Sequence, residues 1–430
     1  MLQHIPFPIL PAPPSWFPGH MNQFKRQLPV LLKQTDVVLE LRDARLPLTS
    51  INRTFEGALR KWRTERMNLA GDAANPIDLS AANGTRIACE RIVVFSKRDL
   101  VPEWGIEPFR KAMTAKFPDQ SCFFASWHRP KDIRSLSDLL INVAKRYPHM
   151  PELNVLVVGM PNVGKSTLLN ALRNAGIRGP TPKALRTSSQ PGLTRAVSTR
   201  LKLCLNPLVY AYDSPGVMLP FVGRGDRGAE RGVKLALIAG IKEGLYDVEA
   251  LATYLLYRLN VLNPIGAIFT WLAHLDPFTD RSGTEYPTSV PPPTNDITEF
   301  LDLLARRLNM LKRGGVPDCT RAAQWFVRWW RDEGGLIAAS EAPAPPLPHS
   351  STRRGWGFDL EWDINGAGAP ETEEDVQRHM ERHIDEYLTN LETEEGEVSS
   401  TQEKKRAKEE IMAKRAAKVK AKLASRRAGG

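Results

Sequence analysis

Asn154-Val155-Leu156-Val157-Val158-Gly159-Met160-Pro161-Asn162-Val163-Gly164-Lys165-Ser166-Thr167-Leu168-Leu169 combines an apolar run, a glycine-containing turn and a helix start. Its first five residues form a β-branched, apolar run of the kind that fills a buried parallel strand. Gly159 to Ser166 then spells GxxxxGK[ST], and Thr167 to Leu172 reads as the start of a helix. Strand, glycine-rich turn and helix in that order are the context a phosphate-binding loop requires. Backbone N–H groups of the loop and of the helix N-terminus can surround a phosphate. Lys165 can reach the β and γ oxygens, and the Ser166 hydroxyl can ligate Mg2+. The expected nucleotide contacts are Asn162, Val163, Gly164, Lys165, Ser166 and Thr167.

Asp36 to Leu41 (DVVLEL) and Arg91 to Phe95 (RIVVF) precede the loop, and Val209 to Tyr212 follows it. These runs predict an α/β domain with parallel strands. The last one ends in Asp213-Ser214-Pro215-Gly216, a DxxG element. Alone it would be ordinary turn chemistry. Downstream of the phosphate loop, with Pro191-Gly192-Leu193-Thr194 between the two, it completes a set. Asp213 would support Mg2+, the Gly216 amide would meet the γ-phosphate, and Thr194 would ligate Mg2+ only while that phosphate is present.

No guanine reader of the NKxD type lies after Gly216; its counterpart, Ser96-Lys97-Arg98-Asp99, ends the strand RIVVF before the phosphate loop. Asp99 can accept two hydrogen bonds from the guanine ring N–H and the exocyclic amine, and the Lys97 stem can lie over the base. Ala125-Ser126-Trp127 could supply the short loop that contacts the guanine oxygen. An ATPase or kinase reading is disfavoured, because adenine would leave Asp99 without a role.

The motif order is thus G4-G5-G1-G2-G3, that of a P-loop GTPase fold with circularly permuted elements. The sequence resembles the YlqF/YawG-type circularly permuted GTPases, which include a bacterial ribosome-biogenesis GTPase and its mitochondrial counterpart. The resemblance runs from Trp16-Phe17-Pro18-Gly19-His20-Met21, through Glu40-Leu41-Arg42-Asp43-Ala44-Arg45-Leu46-Pro47-Leu48, to the phosphate loop and the PGLT and DSPG elements. More weakly it reaches Asp318 to Trp330. One departure is Ser96 in place of the asparagine that heads NKxD, which predicts a weaker brace between neighbouring loops.

The resemblance implies a GTPase that binds GTP, GDP and Mg2+, with Lys165, Thr194 and His20 in catalytic roles. Ras-like enzymes orient the attacking water with a Gln after DxxG, but here that position is Val217, which cannot hydrogen-bond to water. Slow turnover alone and stimulation by a ribosomal subunit are expected. His20 is the candidate for holding the water, since an imidazole can accept near neutral pH; bracing the turn beside Trp16 and Pro18 is the other reading. Asn162 occupies the position at which K+-activated relatives place a monovalent-cation ligand. The implied partner is the mitochondrial large ribosomal subunit with its rRNA, and the implied location is the matrix side of the inner membrane, peripherally, as a monomer. A nucleolar or cytosolic permuted GTPase, or an RNA-binding scaffold with a regulatory nucleotide site, are the alternatives.

The expected organisation is an N-terminal segment over 1–21, a GTPase domain over 22–228 with an insertion at about 61–90, a helical domain over 229–335, and a linker and charged tail over 336–430. Helical spacing supports the third, as in Val248, Leu251, Ala252, Leu255 and Leu256, with a proline-rich break from Tyr286 to Pro293. Asp359 to Glu397 holds 14 acidic residues, and Lys404 to Arg427 then supplies 11 Lys and Arg. That basic run suits a nucleic-acid arm, a membrane surface or a solvated tail. The whole chain has 430 residues, a net charge of +11 and 42% hydrophobic residues, which argues against a structureless polyampholyte. Its longest apolar stretches, Asn154 to Met160 and Ala267 to Leu275, fall short of the roughly 18 to 20 residues that cross a bilayer. Cys89, Cys122, Cys204 and Cys319 lie far apart without a CxxC pair, as in a reducing compartment. The proline-rich N-terminus resembles neither a transit peptide nor a secretory signal.

Overall fold

Apolar, β-branched runs pair into the centre of a six-stranded sheet in the computed structural model, which describes residues 5–14, 16–72, 88–177, 179, 182–187, 192–194, 196–219, 222–262, 294–334, 352–364, 372–393 and 412. The strands are β1 (Val37–Asp43), β2 (Glu90–Ser96), β3 (Ser121–Ala125), β4 (Leu153–Gly159), β5 (Leu201–Leu205) and β6 (Leu208–Asp213), in the spatial order β3-β2-β1-β4-β6-β5. Only β5 runs antiparallel to its neighbour. The register sets Asp43 beside Ser96, Ser96 beside Ala125 and Val157 beside Asp213. Consequently the turns after β1, β2, β3, β4 and β6 all leave from one edge, where α/β sheets bind ligands. The strands that carry the base-reading segments come first in the chain, so the permuted order is built into the topology.

Helices flank the sheet: α1 (Gly19–Lys33), α2 (Arg53–Asp72), α3 (Ile106–Lys116), α4 (Pro130–Arg146) and α5 (Lys165–Gly176). Each buries an apolar stripe, as in α1 with Met21, Phe24, Leu28 and Leu32. Then follow α6 (Gly225–Leu237), α7 (Val248–Leu262), α8 (Ile297–Arg307) and α9 (Cys319–Trp329). Among the described residues, no helix is long and apolar enough to cross a membrane. The four cysteines are free thiols.

Strand β1 is buried along its whole length although it contains Glu40, Arg42 and Asp43. Glu40 meets Arg42 at 2.7 Å and Arg91 at 2.5 Å, and Arg91 also pairs with Glu56. Burial pushes the Glu40 carboxyl up, but the two guanidinium groups outweigh it and bring it down to about 2.

Three boundaries differ from the sequence reading. Residues 61–72 continue α2, because Trp62 is buried with its Nε1 donating to Thr35 O at 3.2 Å, and Arg66 reaches Asp36 at 3.0 Å. The rest of the expected insertion, 73–87, lies outside the described residues. The boundary at 228/229 falls inside α6, and residues 1–386 form one compact unit, with 387–430 a second. The third difference is in the expected linker and tail, which contains a hairpin, β7 (Thr352–Trp356) with β8 (Leu360–Ile364), and the helix α10 (Glu373–Thr393). Trp356, Phe358, Leu360 and Trp362 are buried at alternate positions, a period-2 pattern hidden among acidic residues. The basic run 404–427 and the break 286–293 fall outside the described residues, except Met412.

Candidate functional site

A cleft opens at the edge where β4 and β6 end. It is lined by Pro161, Asn162, Gly164, Lys165, Ser166, Thr167, Gly192, Leu193, Thr194 and Gly216, with Arg186 and Thr187 at the same surface. The phosphate loop, Thr194 and Gly216, separated along the chain, thus come together in one cleft. Gly164 adopts φ +91°, the left-handed conformation that lets the loop turn into α5. A Cβ on Gly216 would come within 2.6 Å of Pro161 Cα, so the DxxG turn is packed directly onto the phosphate loop. Val163, an expected nucleotide contact, has its side chain in the core.

Lys165 is buried, and its Nζ donates to Met160 O at 2.8 Å and Gly159 O at 3.3 Å. Burial pushes this amine down to about 8, against the favourable charge of Asp213. A bound triphosphate would restore the charged form. Nucleotide binding is therefore expected to take up close to one proton at about pH 9 and few at about pH 7. Calorimetric titrations in buffers of different ionisation enthalpy read this directly, and equal proton uptake at both pH values would rule it out.

Three side-chain oxygens that could hold a hard cation converge beside the lysine. Ser166 Oγ donates to Asp213 Oδ2 at 2.5 Å and lies 3.5 Å from Thr194 Oγ1. Asp213 Oδ1 is buried with no partner, and burial pushes this carboxyl up despite Lys165 and Ser166. One carboxylate and two hydroxyls fit Mg2+, which prefers oxygen and keeps the substrate's phosphates and water as its other ligands. Bound there, the ion would neutralise charge on the β and γ phosphates.

The base-reading side is held by a second buried ion cluster. Asp43 accepts from Arg45 Nε and Nη2 at 3.0 and 2.9 Å and from Lys97 Nζ at 2.9 Å. Lys97 sits at φ +59° at the head of the turn, and its ammonium is anchored on Asp43. Burial pushes the Asp43 carboxyl up, but Arg45 and Lys97 outweigh it and hold it well below the ordinary range. Ser96 is buried and donates to Arg42 O at 3.0 Å. This bond braces the end of β2 against the adjacent strand β1. Asp99 Oδ1 is buried without a partner, as an acceptor awaiting a ring N–H would be.

Arg98, expected among the nucleotide contacts, is committed elsewhere: its guanidinium pairs with Glu103 and lies 3.6 Å from Asp132. Asp132 in turn accepts the Ser126 backbone N–H at 2.9 Å. Ser126, expected among the nucleotide contacts, thus has its backbone N–H committed within the protein. The Trp127 indole sits so close to the phosphate loop that a Cβ on Gly164 would collide with its Nε1. Trp127, expected with Ala125 and Ser126 to form the loop at the guanine oxygen, thus also packs against the phosphate loop.

His20 occupies the first turn of α1, its ring 3.8 to 3.9 Å from where a Cβ on Gly192 would lie. It thus faces the turn that carries Thr194. Val217 is fully buried; its N–H donates to Gly159 O at 3.2 Å and its carbonyl accepts from Asn52 at 2.7 Å. Asn162, the expected K+ ligand, donates its amide to Ala239 O at 2.8 Å, tying the phosphate loop to the turn after α6.

A family model described as "50S ribosome-binding GTPase" matches residues 154–255. Mitochondrial GTPase 1 of Schizosaccharomyces pombe is 30% identical over 310 residues, covering 71% of this chain and 83% of that protein. Mitochondrial ribosome-associated GTPase 1 of Mus musculus is 32% identical over 250 residues, covering 57% and 66%. Among solved structures, GNP-bound YlqF from T. maritima overlays with a TM-score of 0.41 at 19% identity, covering 74% of this chain and 95% of that one. With the phosphate loop, the cation-ligand triad and the guanine-side acceptor in the permuted order, the chain belongs to the mitochondrial GTPase 1 family and is a circularly permuted GTPase.

Proposed function

We propose that this GTPase is an assembly factor for the mitochondrial large ribosomal subunit, binding it in one nucleotide state and leaving in the other, in support of mitochondrial translation. The observation that carries the reading is the family itself: its members include mitochondrial ribosome-associated GTPases, and the matching family model is of a 50S ribosome-binding GTPase. Location on the matrix side of the inner membrane, as a peripheral monomer, belongs to the same reading.

The structure supports a route from nucleotide to partner. Gly216 packs on Pro161, and Asn162 bonds Ala239, so both the DxxG turn and the α6–α7 turn touch the phosphate loop. A γ-phosphate that fixes Thr194 and Gly216 would shift the helices presented to the subunit. Such coupling needs different subunit affinities in the GTP and GDP states. In this scheme Lys165 and Thr194 stabilise the phosphates and cation, and His20 orients water against the switch turn. Val217 in the core leaves no side chain at the usual water-holding position, so turnover is slow until the partner orders the switches.

The test is GTP hydrolysis by the purified protein alone and with mitochondrial large or small subunits, using Lys165→Ala as the blank. Stimulation by about tenfold or more with large subunits alone is expected. Equal stimulation by both subunits, or none with no nucleotide-dependent binding, would overturn the reading. Unchanged slow turnover with nucleotide-dependent attachment would favour the scaffold reading that Val217 permits.

A further inference from the structure

The cleft contains a cation that the motif set does not assign. Asn170 lies one turn beyond Ser166 on α5 and is nearly buried. Its amide nitrogen donates to Leu185 O at 2.9 Å, while its Oδ1 accepts from Ala184 N at 3.2 Å and Leu185 N at 3.1 Å. Leu185 packs against the core. Three hydrogen bonds from one side chain thus fix the chain immediately before Arg186 and Thr187, both of which line the phosphate cleft. Arg186 is exposed and makes no hydrogen bond or ion pair among the described residues. This contrasts with Arg42, Arg45, Arg91 and Arg98, all paired with carboxylates. An uncompensated guanidinium on a tethered segment, beside Lys165 and the backbone amides of the loop, adds positive charge where a triphosphate would be most negative.

We propose that Arg186 contacts the transferring phosphate of GTP and stabilises its transition state, an arginine supplied by this chain to its own site. In the reaction the water oxygen bonds to the γ-phosphorus, and the bond from that phosphorus to the β–γ bridging oxygen breaks. The electron pair stays on GDP, and the water protons leave with inorganic phosphate. Charge shifts toward the bridging oxygen, and the planar guanidinium fork matches phosphate oxygens on either side of it. The Asn170 clamp lowers the entropy lost when the arginine engages. The contact is independent of which partner the protein serves.

The experiment is single-turnover hydrolysis with enzyme in excess, together with the gain in GDP affinity on adding aluminium fluoride, which mimics the phosphate in flight. Arg186→Ala is expected to slow hydrolysis about 100-fold and to abolish the fluoride-dependent gain, while GDP affinity stays within about threefold. Arg186→Lys should recover part of the rate, and Lys183→Ala, an exposed neighbour outside the cleft lining, should match the parent. Asn170→Ala should lose rate in the same sense as Arg186→Ala, though less. Arg186→Ala with the parental rate and the parental fluoride response would overturn the proposal. So would an equal loss of GDP and GTP affinity at unchanged rate, since the arginine would then bind only the ground state.

Discussion

Replacing Lys165 with alanine is expected to lower single-turnover GTP hydrolysis by at least about 1,000-fold, the largest effect of any single substitution at the site. The amine is enclosed, and among the described residues the Met160 and Gly159 carbonyls and the Asp213 charge compensate it. That arrangement holds the side chain extended across the loop before nucleotide arrives, so little ordering remains to be done. Its burial also magnifies the interaction with phosphate oxygens once water is expelled. Lys165→Arg should fare little better, because a planar fork needs more room than this loop leaves beside Gly159 and Met160. The loss should divide between nucleotide affinity and rate: the positive charge faces the phosphates in both states but matches them best as the β–γ bond breaks. Parallel measurement of nucleotide affinity and single-turnover rate checks this. A variant within about tenfold of the parent in both would show that the lysine is a structural brace of the loop.

The phosphate side was legible because its chemistry is local in sequence. A strand, a glycine-rich turn and a helix start occupy consecutive residues, and the same few side chains do the binding. Thr194 and Asp213 were readable from their order along the chain, and the structure sets their oxygens around Ser166. Contacts made by folding were not legible. Nothing in Arg186 distinguishes it from a solvated arginine until Asn170 fixes the residues before it. Arg98 sits within the base-reading motif but is drawn off by Glu103 and Asp132. Ser126 likewise spends its N–H on Asp132.

The C-terminal hairpin was missed for a different reason. The acidic segment counted from Asp359 to Glu397 begins after Trp356 and Phe358, so its boundary cuts through the alternation of Trp356, Phe358, Leu360 and Trp362. Trp356 stacks on Phe109 at 5.0 Å and donates its Nε1 to Pro102 O at 2.9 Å. Asp359, which looks like part of an acidic tail, accepts from the Leu48 and Thr49 N–H groups at 2.9 and 2.7 Å and lies 3.3 Å from Lys234. Its carboxylate thereby joins the loop after β1 to α6. Charge composition describes a solvated segment well, but it cannot show which carboxylates are needed by backbone donors elsewhere.

Asp43→Ala is expected to destabilise the protein by about 3–5 kcal/mol and to weaken guanine-nucleotide binding as well. Asp43 is fully buried and is the common acceptor for Arg45 and Lys97. Its removal leaves two cations without their carboxylate, and that desolvation cost, rather than the lost attraction, sets the magnitude. For a compact unit of this size the melting temperature should fall by roughly 5–10 °C. The sign with pH follows from the depressed carboxyl. Because folding holds Asp43 below its ordinary value, the stability it contributes is complete above about pH 4, the unfolded value, and is lost as pH falls below it. Denaturant titrations at about pH 7 and pH 3 should therefore show a larger gap between parent and Asp43→Ala at neutral pH. Asp43→Asn keeps the shape and two acceptor positions but not the charge, so it should fall between them and lose part of the acid dependence. Lys97, released from its anchor, would let the turn carrying Asp99 drift, and guanine-nucleotide affinity should drop by about tenfold in either variant. A destabilisation below about 1 kcal/mol would mean that water replaces the carboxylate in this cluster. Unchanged nucleotide affinity would mean that the packing around Ser96, with its bond to Arg42, is enough to position the base reader.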